Sequence, residues 1–227
     1  MTADRNDGDR EDGDRDDGGR RSEPAALRNR EPILGVLRPA LGDPATPPGA
    51  VLETAAGNGI HACFFAPVFA ARPWQSSDRE AHNVAAIAQR LAAEPADNLR
   101  PPCRLDVGDA DWADAMAGQI GGPVAAVTSI NMIHIAPWSA GRGLIAGAGR
   151  LLAPGGVLFF YGPFRVGGAH TGPGNEAFDA SLRSRNPQWG IRDLDEVTAE
   201  AASHGLRRDA VVEMPANNLS VVFRRGS

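Results

Sequence analysis

The sequence predicts an α/β fold in which a seven-stranded, mostly parallel sheet ends in a C-terminal antiparallel hairpin and carries helices on both faces. Three observations predict it. Short apolar runs alternate with stretches of helical spacing, which is typical of parallel strands joined by crossover helices. The last two apolar runs are separated only by residues 215–218, and so short a connection joins antiparallel strands. A hydrophobic share of 42% in 227 residues is enough for one sizeable core.

The first segment, residues 1–23, differs in composition from the rest of the chain. It consists almost wholly of Asp, Gly and Arg, and it offers too little apolar surface to offset the entropy of ordering. We therefore expect a disordered acidic tail over residues 1–23, followed by a single domain over residues 24–225.

The elements of this domain follow one another in a regular order. Pro32 suits the first turn of an opening helix, which Gly42, Asp43 and Pro44 should end. The predicted strands are 50–52, 74–78, 103–107, 124–131, 157–161, 210–214 and 219–224. The helices predicted between them are 60–71, 80–93, 111–119 and 139–152, with further helices before the final strands.

Composition excludes several function classes. The net charge of -5 gives no general attraction to nucleic acid, and the absence of lysine excludes Schiff-base chemistry through a side chain. Cys63 and Cys103 form no Cys-x-x-Cys pattern, so we expect neither a metal site nor a disulfide framework. No apolar stretch is long enough to cross a bilayer, and we expect a soluble, cytoplasmic protein.

A glycine loop follows the first predicted strand. Gly57, Gly59 and Ala62 form a Gly-x-Gly-x-x-Ala pattern, and Asp78 lies about twenty residues downstream, a combination that also fits a nicotinamide dinucleotide site. Glu53 distinguishes the two ligands, because its carboxylate would repel a pyrophosphate. S-adenosylmethionine instead carries an ammonium and a sulfonium, which a carboxylate attracts. The loop therefore predicts S-adenosylmethionine, with NAD(P) as the alternative.

Carboxylates are predicted at the ends of three successive strands, where ligands of open sheets bind. Asp78 could accept from the ribose hydroxyls and Asp106 from the adenine amino group, whereas helix capping is the competing role for each carboxylate. The predicted cofactor contacts are Glu53, Ala55, Gly57, Gly59, Asp78, Asp106, Val107 and Asn131.

Seven blocks of sequence together form a distinctive set, namely 28–34, 53–61, 74–78, 130–134, 161–164, 185–193 and 214–218. The set resembles the family called domain of unknown function 938, to which methyltransferase-like protein 26 belongs. The likeness covers about residues 26–225, and its most specific part is Arg-Asn-Pro-Gln-Trp-Gly at 185–190. Arg30 departs from the lysine that is frequent in the family. The resemblance implies a class I methyltransferase fold, which is Rossmann-like, and S-adenosylmethionine binding.

Methyl transfer requires that donor and acceptor are held in line, and it needs a base only if the acceptor loses a proton. The predicted catalytic residues are Asn131 and His134, after the fourth strand, and Tyr161, after the fifth. Asn131 would orient the acceptor or the methionine end of the cofactor, and His134 would act as a base or hydrogen-bond donor. A core histidine is the competing interpretation of His134.

The acceptor pocket is expected from residues outside the glycine loop. Its predicted residues are Asn29, Arg185, Asn186 and Trp189, while the glycine-rich stretch 162–174 is expected to form a lid. The sequence thus predicts an S-adenosylmethionine-dependent methyltransferase with an unidentified acceptor, preferably a small molecule. The alternatives are a non-catalytic module that binds S-adenosylmethionine or S-adenosylhomocysteine and an NAD(P)-dependent oxidoreductase.

Overall fold

A computed structural model describes residues 17–226 of the chain, with side chains from residue 23 onward. Its strands are β1 Ala50–Thr54, β2 Trp74–Asp78, β3 Cys103–Arg104, β4 Val124–Ile130, β5 Leu152–Pro163, β6 Arg165–Val166, β7 Ala169–His170, β8 Leu206–Met214 and β9 Asn218–Arg225. Its α-helices are α1 Asp17–Gly42, α2 Ile60–Phe65, α3 Ala81–Ala93, α4 Trp112–Ile120, α5 Trp138–Leu151, α6 Pro173–Arg185 and α7 Leu194–Ser203.

The main sheet has seven strands in the order β3-β2-β1-β4-β5-β9-β8. β1 pairs in parallel with β2 and β4, whereas β9 is antiparallel to both β5 and β8. β6 and β7 form a separate two-stranded hairpin. The predicted parallel sheet with a C-terminal antiparallel hairpin is confirmed.

Both faces of the sheet are covered, because successive side chains of a strand point to opposite faces. Val51 of β1 belongs to a buried cluster with Ile33 of α1 and Trp74 of β2. Leu52, the next residue, belongs to a second cluster that includes Leu144 of α5. This alternation produces two cores from one strand.

The first helix begins well before the predicted position. α1 starts at Asp17, so residues 17–23, which we assigned to the tail, are helical, and Pro32 lies inside the helix instead of in its first turn. Packing of the apolar face around Ile33 and Leu37 against the sheet favours the helix despite its prolines. Residues 1–16 of the predicted tail lie outside the described residues.

Four other boundaries differ from the prediction by more than two residues, and one of them is the start of β8, at Leu206 instead of residue 210. β3 ends at Arg104, so Asp106 lies in the following loop and not at a strand end. The predicted helix 60–71 ends at Phe65 and continues as a 3₁₀ turn, Ala66–Phe69, in which Pro67 has no amide proton to donate. β5 begins at Leu152, with a register shift against β4 that accommodates the glycines before Val157.

The expected lid is a folded element. β5 extends to Pro163, and the hairpin β6–β7 turns at Gly167 and Gly168, both at positive φ. Gly168 N donates to Asp193 Oδ2 at 2.7 Å, which ties the turn to the start of α7. Between residues 17 and 226, no helix combines the length and the apolar character needed to cross a bilayer.

Candidate functional site

Two cavities open at the carboxyl edge of the parallel strands, where β1 and β4 lie side by side and the chain proceeds to opposite sides of the sheet. Such a switch point forms a crevice outside the strand ends. We call the first cavity, of about 370 Å³, the carboxylate cleft, because it contains Asp78 and Asp106. The second, of about 640 Å³, we call the amide cavity, because it contains Asn29, Asn131, Asn175 and Asn218. Ile135 lines both cavities.

Asp78, at the end of β2, is the most highly bonded group of the carboxylate cleft. Its side chain is almost fully buried, its Oδ2 accepts from Gly57 N at 3.0 Å, and its Oδ1 accepts from Glu80 N and Asn83 Nδ2, both at 3.0 Å. These bonds fix the carboxylate against the glycine loop. Since each oxygen has two lone pairs, Asp78 retains capacity to accept from a ligand hydroxyl.

Asp106 and Val107 line the far end of the same cleft. Asp106 Oδ1 accepts from Gly108 N at 2.8 Å, which holds the loop after β3 in a tight turn. Asp106 thus lies in the same cleft as Asp78, although a turn and not the predicted strand end positions it. Val107 is buried and gives the cleft an apolar wall.

The glycine loop adopts left-handed backbone conformations at three positions. Ala55, Gly57 and Gly59 have φ of 52°, 59° and 78°. A Cβ atom at Gly59 would lie 3.3 Å from Ile87 Cγ2, whereas one at Gly57 would meet nothing within 4 Å. Gly59 is thus needed for close packing of the loop on α3, and Gly57 for its conformation.

Glu53 is placed differently from our expectation for a cofactor contact. Its side chain is buried behind β1, where Oε2 accepts from Trp74 Nε1 at 2.9 Å and from Ser76 Oγ at 3.4 Å. Burial raises the pKa of Glu53 to about 7, although these two hydrogen bonds oppose the rise. Glu53 lines neither cavity.

Asn131 lies between β4 and the amide cavity, in a left-handed conformation with φ of 59°. The backbone nitrogen of Asn131 donates to the backbone oxygen of Tyr161 at 2.8 Å. The side-chain Oδ1 of Asn131 lies 3.4 Å from His134 Nε2. Asparagine tolerates this conformation better than most residues. Backbone geometry thus holds the Asn131 side chain beside His134 and Tyr161.

His134 is a buried, neutral imidazole at the base of the amide cavity. Burial, together with the positive charge of the nearby Arg192, lowers the pKa of His134 to about 3. Nδ1 is buried without a hydrogen-bond partner among the described residues. A Cβ atom at Gly162 would lie only 2.3 Å from His134 Cε1, so the ring occupies space that only glycine leaves free. These features favour a positioning role over proton storage.

Tyr161, the only tyrosine of the chain, ends a polar network that begins beside the glycine loop. His61 Nε2 lies 2.8 Å from Asn29 Oδ1 in a buried contact, and Asn29 lines the amide cavity together with Tyr161. Burial raises the pKa of Tyr161, whereas bonds from Asn29 and Asn218 oppose that rise. The network links α2 to the amide cavity.

Three of the four residues predicted for the acceptor pocket lie outside the amide cavity. Asn186 and Trp189 line the carboxylate cleft, with Trp189 half-buried, and the exposed Arg185 lies over its ring at 5.3 Å. The reason is that Gly190 N donates to His134 O at 3.0 Å and thereby brings the segment after α6 across the β4 loop. Of the predicted acceptor residues, only Asn29 lines the amide cavity.

Several residues of the amide cavity were not among the predicted contacts, namely Arg28, Ile135, Asn175, Phe178 and Asn218. They come from α1, the β4 loop, α6 and the β8–β9 connection, and no spacing in the sequence relates them. Over the described part of the chain, no group of three or more His, Cys, Asp or Glu side chains is arranged to hold a metal ion.

Comparison with known proteins gives a family and a fold. The family model "Protein of unknown function (DUF938)" matches residues 20–225. Among solved structures, an O-methyltransferase family protein from Burkholderia thailandensis has a TM-score of 0.74 at 15% identity, over 92% of this chain and 60% of that one. An O-methyltransferase family 2 protein from Planctomyces limnophilus, in complex with apigenin, has 0.68 at 18% identity, over 92% and 62%.

Human N-acetylserotonin methyltransferase, in complex with S-adenosylmethionine, has a TM-score of 0.64 at 13% identity, over 91% of this chain and 57% of that one. The chain thus spans about three fifths of the length of these proteins. At such low identity the likenesses show the fold alone, and they confirm the predicted class I methyltransferase architecture.

Proposed function

Because this chain belongs to the DUF938 family and has the class I methyltransferase fold, we propose that it transfers the methyl group of S-adenosylmethionine to a small-molecule acceptor in the cytoplasm. One observation carries the proposal. The carboxylate cleft and the amide cavity adjoin at the switch point of the sheet and share Ile135, so a donor in one would face an acceptor in the other.

The carboxylate cleft has the groups that S-adenosylmethionine requires. Asp78, which Gly57 N holds in place, would accept from the ribose hydroxyls, Asp106 and Val107 would hold the adenine, and Ala55 would contact the methionine end through its backbone. The cofactor supplies an electrophilic methyl group on a sulfonium. The human neighbour is described with S-adenosylmethionine and another, PigF, with S-adenosylhomocysteine, which supports the same ligand here.

Glu53 takes a different part in this proposal from the one expected from the sequence. Its side chain accepts a hydrogen bond from Trp74 and does not reach the cleft. Glu53 would therefore act on the bound cofactor only through its electrostatic field. Because burial raises the pKa of Glu53 to about 7, the carboxyl group is partly protonated near neutral pH, and its charge does not distinguish a pyrophosphate from a sulfonium in the loop.

The amide cavity would position the acceptor. Asn131, held beside His134, would orient the acceptor next to the methyl group, and the Tyr161 hydroxyl would bond to it from the end of β5. The cavity of about 640 Å³ is of the size of a small-molecule site, and the Planctomyces neighbour is described in complex with apigenin. Holding donor and acceptor in line, away from water, is the main contribution expected of the protein.

Calorimetric titration with S-adenosylmethionine, S-adenosylhomocysteine and NAD tests the cofactor assignment. We expect the first two to bind and NAD not to bind, and we expect Asp78→Asn to weaken binding by about a hundredfold, since it removes a charged acceptor from a buried site. Asp114→Asn, an exposed carboxylate on α4, is the matched control. Binding of NAD alone, or of none of the three, would contradict the proposal.

Turnover is tested separately with S-adenosylmethionine labelled in the methyl group and a panel of small-molecule acceptors. Transfer of label that is lost in Asn131→Ala, with S-adenosylhomocysteine binding retained, is the expected result. Tight cofactor binding without transfer to any acceptor would instead indicate a non-catalytic binding module.

A further inference from the structure

We propose that the acceptor is an anionic small molecule with an apolar body, whose negative charge lies at Arg28 and whose hydrogen-bond acceptor meets the Tyr161 hydroxyl. The inference rests on the proposed function, because it takes the amide cavity as the acceptor site. It adds the chemical class of the acceptor, which neither the fold nor the family specifies.

The lining of the amide cavity offers no counter-charge to a cation. Among the described residues that line it there is no Asp or Glu, and the ionisable side chains are Arg28, His134 and Tyr161. The adjoining carboxylate cleft has three carboxylates and one cation, Arg79, which pairs with Glu80. An ammonium group that entered the amide cavity would lose hydration and gain no counter-charge.

The accessible charge at the amide cavity is positive. Arg28 is exposed on α1, lines the cavity and has no hydrogen bond or ion pair within residues 23–226. Arg192, near His134, is instead engaged by backbone, since its guanidinium donates to Ile133 O, Ala136 O and Gln188 O at 2.6 to 2.9 Å. Arg28 therefore offers the guanidinium that would pair with an anion.

Tyr161 brings a hydroxyl group to the amide cavity. An amide oxygen only accepts, so His61 Nε2 donates to Asn29 Oδ1. Asn29 and Asn218 line the cavity together with Tyr161, and both oppose the rise of its pKa that burial causes. A phenol hydroxyl donates readily to a ligand oxygen, so an oxygen acceptor on the ligand is the matching group for Tyr161.

The amide cavity has exposed apolar side chains in its lining. Ile135 and Phe178 are large apolar side chains that line the cavity with 46% and 40% of their surface exposed. Exposed apolar groups beside a concave site gain free energy when a ligand covers them. The acceptor that fits is thus amphipathic, with an aromatic or aliphatic body between its charge and its nucleophilic atom.

Three probes of the same shape and different charge test the inference: para-hydroxybenzoate, para-hydroxybenzyl alcohol and para-hydroxybenzylamine. Binding to the full chain saturated with S-adenosylhomocysteine is measured by saturation-transfer NMR and calorimetry. We expect the benzoate to bind most tightly and the amine most weakly. Equal or tighter binding of the amine, or binding of none of the three at millimolar concentration, would overturn the proposal.

Variants of Arg28 test whether its positive charge causes the preference for the benzoate over the amine. Arg28→Gln should weaken benzoate binding about fivefold to tenfold, and Arg28→Glu should reverse the preference toward the amine. Arg38→Gln, another exposed arginine of α1 that does not line the cavity, is the control and should bind all three probes like the unmodified chain. An unchanged preference in Arg28→Glu would contradict the role of Arg28.

The failure of this inference is separable from the failure of the proposed function. If S-adenosylhomocysteine binds but the probes show no preference for the anion, the acceptor class is wrong and the cofactor assignment stands. If S-adenosylhomocysteine does not bind, the proposed function is wrong, and the same probes on the unliganded chain still report the charge preference of the amide cavity.

Discussion

The carboxylate cleft and the amide cavity adjoin along one sheet edge yet differ in charge. The cleft is lined by three carboxylates and by Arg79, which pairs with Glu80, whereas the cavity has amides, a phenol and Arg28 but no carboxylate among its described lining residues. The proposed sulfonium donor suits the first, and the proposed anionic acceptor suits the second. The difference teaches that adjacent cavities at one edge of a parallel sheet can differ in the charge of their linings.

The two regions also differ in the ionisation of their buried groups. Burial raises the pKa of Glu53, in the strand that leads to the cleft, and lowers the pKa of His61 and His134, beside the cavity. All three groups are therefore pushed toward their neutral forms. Changes of pH should consequently act on the two regions in opposite directions.

Gly162→Ala should produce the largest effect and damage the cavity alone. The new Cβ would lie 2.3 Å from His134 Cε1, at a φ of 154°, so we expect a loss of about 4 kcal/mol in the free energy of unfolding and no methyl transfer. Affinity for S-adenosylhomocysteine should stay within about twofold. Urea denaturation and calorimetry measure the two quantities.

Gly167→Ala is the control for Gly162→Ala, since its φ is also positive but its Cβ would meet nothing within 4 Å. We expect it to cost about 1 kcal/mol. If the clash with His134 is the cause, adding His134→Ala should recover part of the loss. Equal losses in Gly162→Ala and Gly167→Ala would contradict this account.

Glu53→Gln should produce the next largest effect, with a definite sign. The pKa of Glu53 is about 7 in the folded chain and 4.5 as its ordinary value, so its contribution to stability is full below 4.5 and is lost as pH rises toward 7. Glutamine can still accept from Trp74. The variant should therefore be more stable than the unmodified chain by about 3 kcal/mol near about pH 8, and the gain should vanish near about pH 4.5.

The measurement for Glu53 is urea denaturation at both pH values. Glu176→Gln, an exposed glutamate on α6, serves as the control and should change stability little at either pH. A Glu53→Gln gain that is the same at both values would mean that the carboxylate is not the cause.

His61→Gln should show the opposite dependence on pH. The pKa of His61 is about 4 in the folded chain, below its ordinary value of 6.5, so the unfolded chain takes up the proton first and stability falls as pH drops through 6.5. The unmodified chain should lose about 2 kcal/mol between about pH 7.5 and about pH 5, and His61→Gln should escape this loss. Glutamine can still donate to Asn29.

His82→Gln, an exposed histidine on α3, is the control for His61→Gln. Denaturation curves recorded across this pH range decide the prediction. If the loss of stability at low pH persists in His61→Gln and disappears in His82→Gln, His82 and not His61 is its cause.

Ala55→Gly should produce the smallest effect, within the carboxylate cleft. Ala55 has a φ of 52°. This left-handed conformation raises the free energy of the folded chain for an alanine but not for a glycine. Glycine also loosens the unfolded chain, so the net gain should be about 0.5 to 1 kcal/mol in thermal unfolding. In the amide cavity, Asn131→Gly should gain less, because asparagine already tolerates its φ of 59°. A net loss for Ala55→Gly would refute the interpretation of strain.

The sequence by itself determined the sheet and the positions of its ends. Periodicity fixed the bounds of β2, and the short connection at 215–218 required the antiparallel hairpin. Because parallel strands end at one edge of a sheet, the sequence also predicted that Asp78, the glycine loop, Asn131 and Tyr161 lie at the carboxyl edge. These features depend on local patterns of a few residues, which a single sequence displays.

The tertiary structure alone decided which cavity each side chain enters. Glu53 shares the face of Val51, two residues before it, so the sheet turns it toward Trp74 and away from both cavities. The segment with Asn186 and Trp189 lies on the carboxylate cleft because Gly190 bonds to His134. Arg28, Phe178 and Asn218 meet around Tyr161 only through packing of α1, α6 and the hairpin, and contacts between distant parts of a chain leave no periodic signal in it.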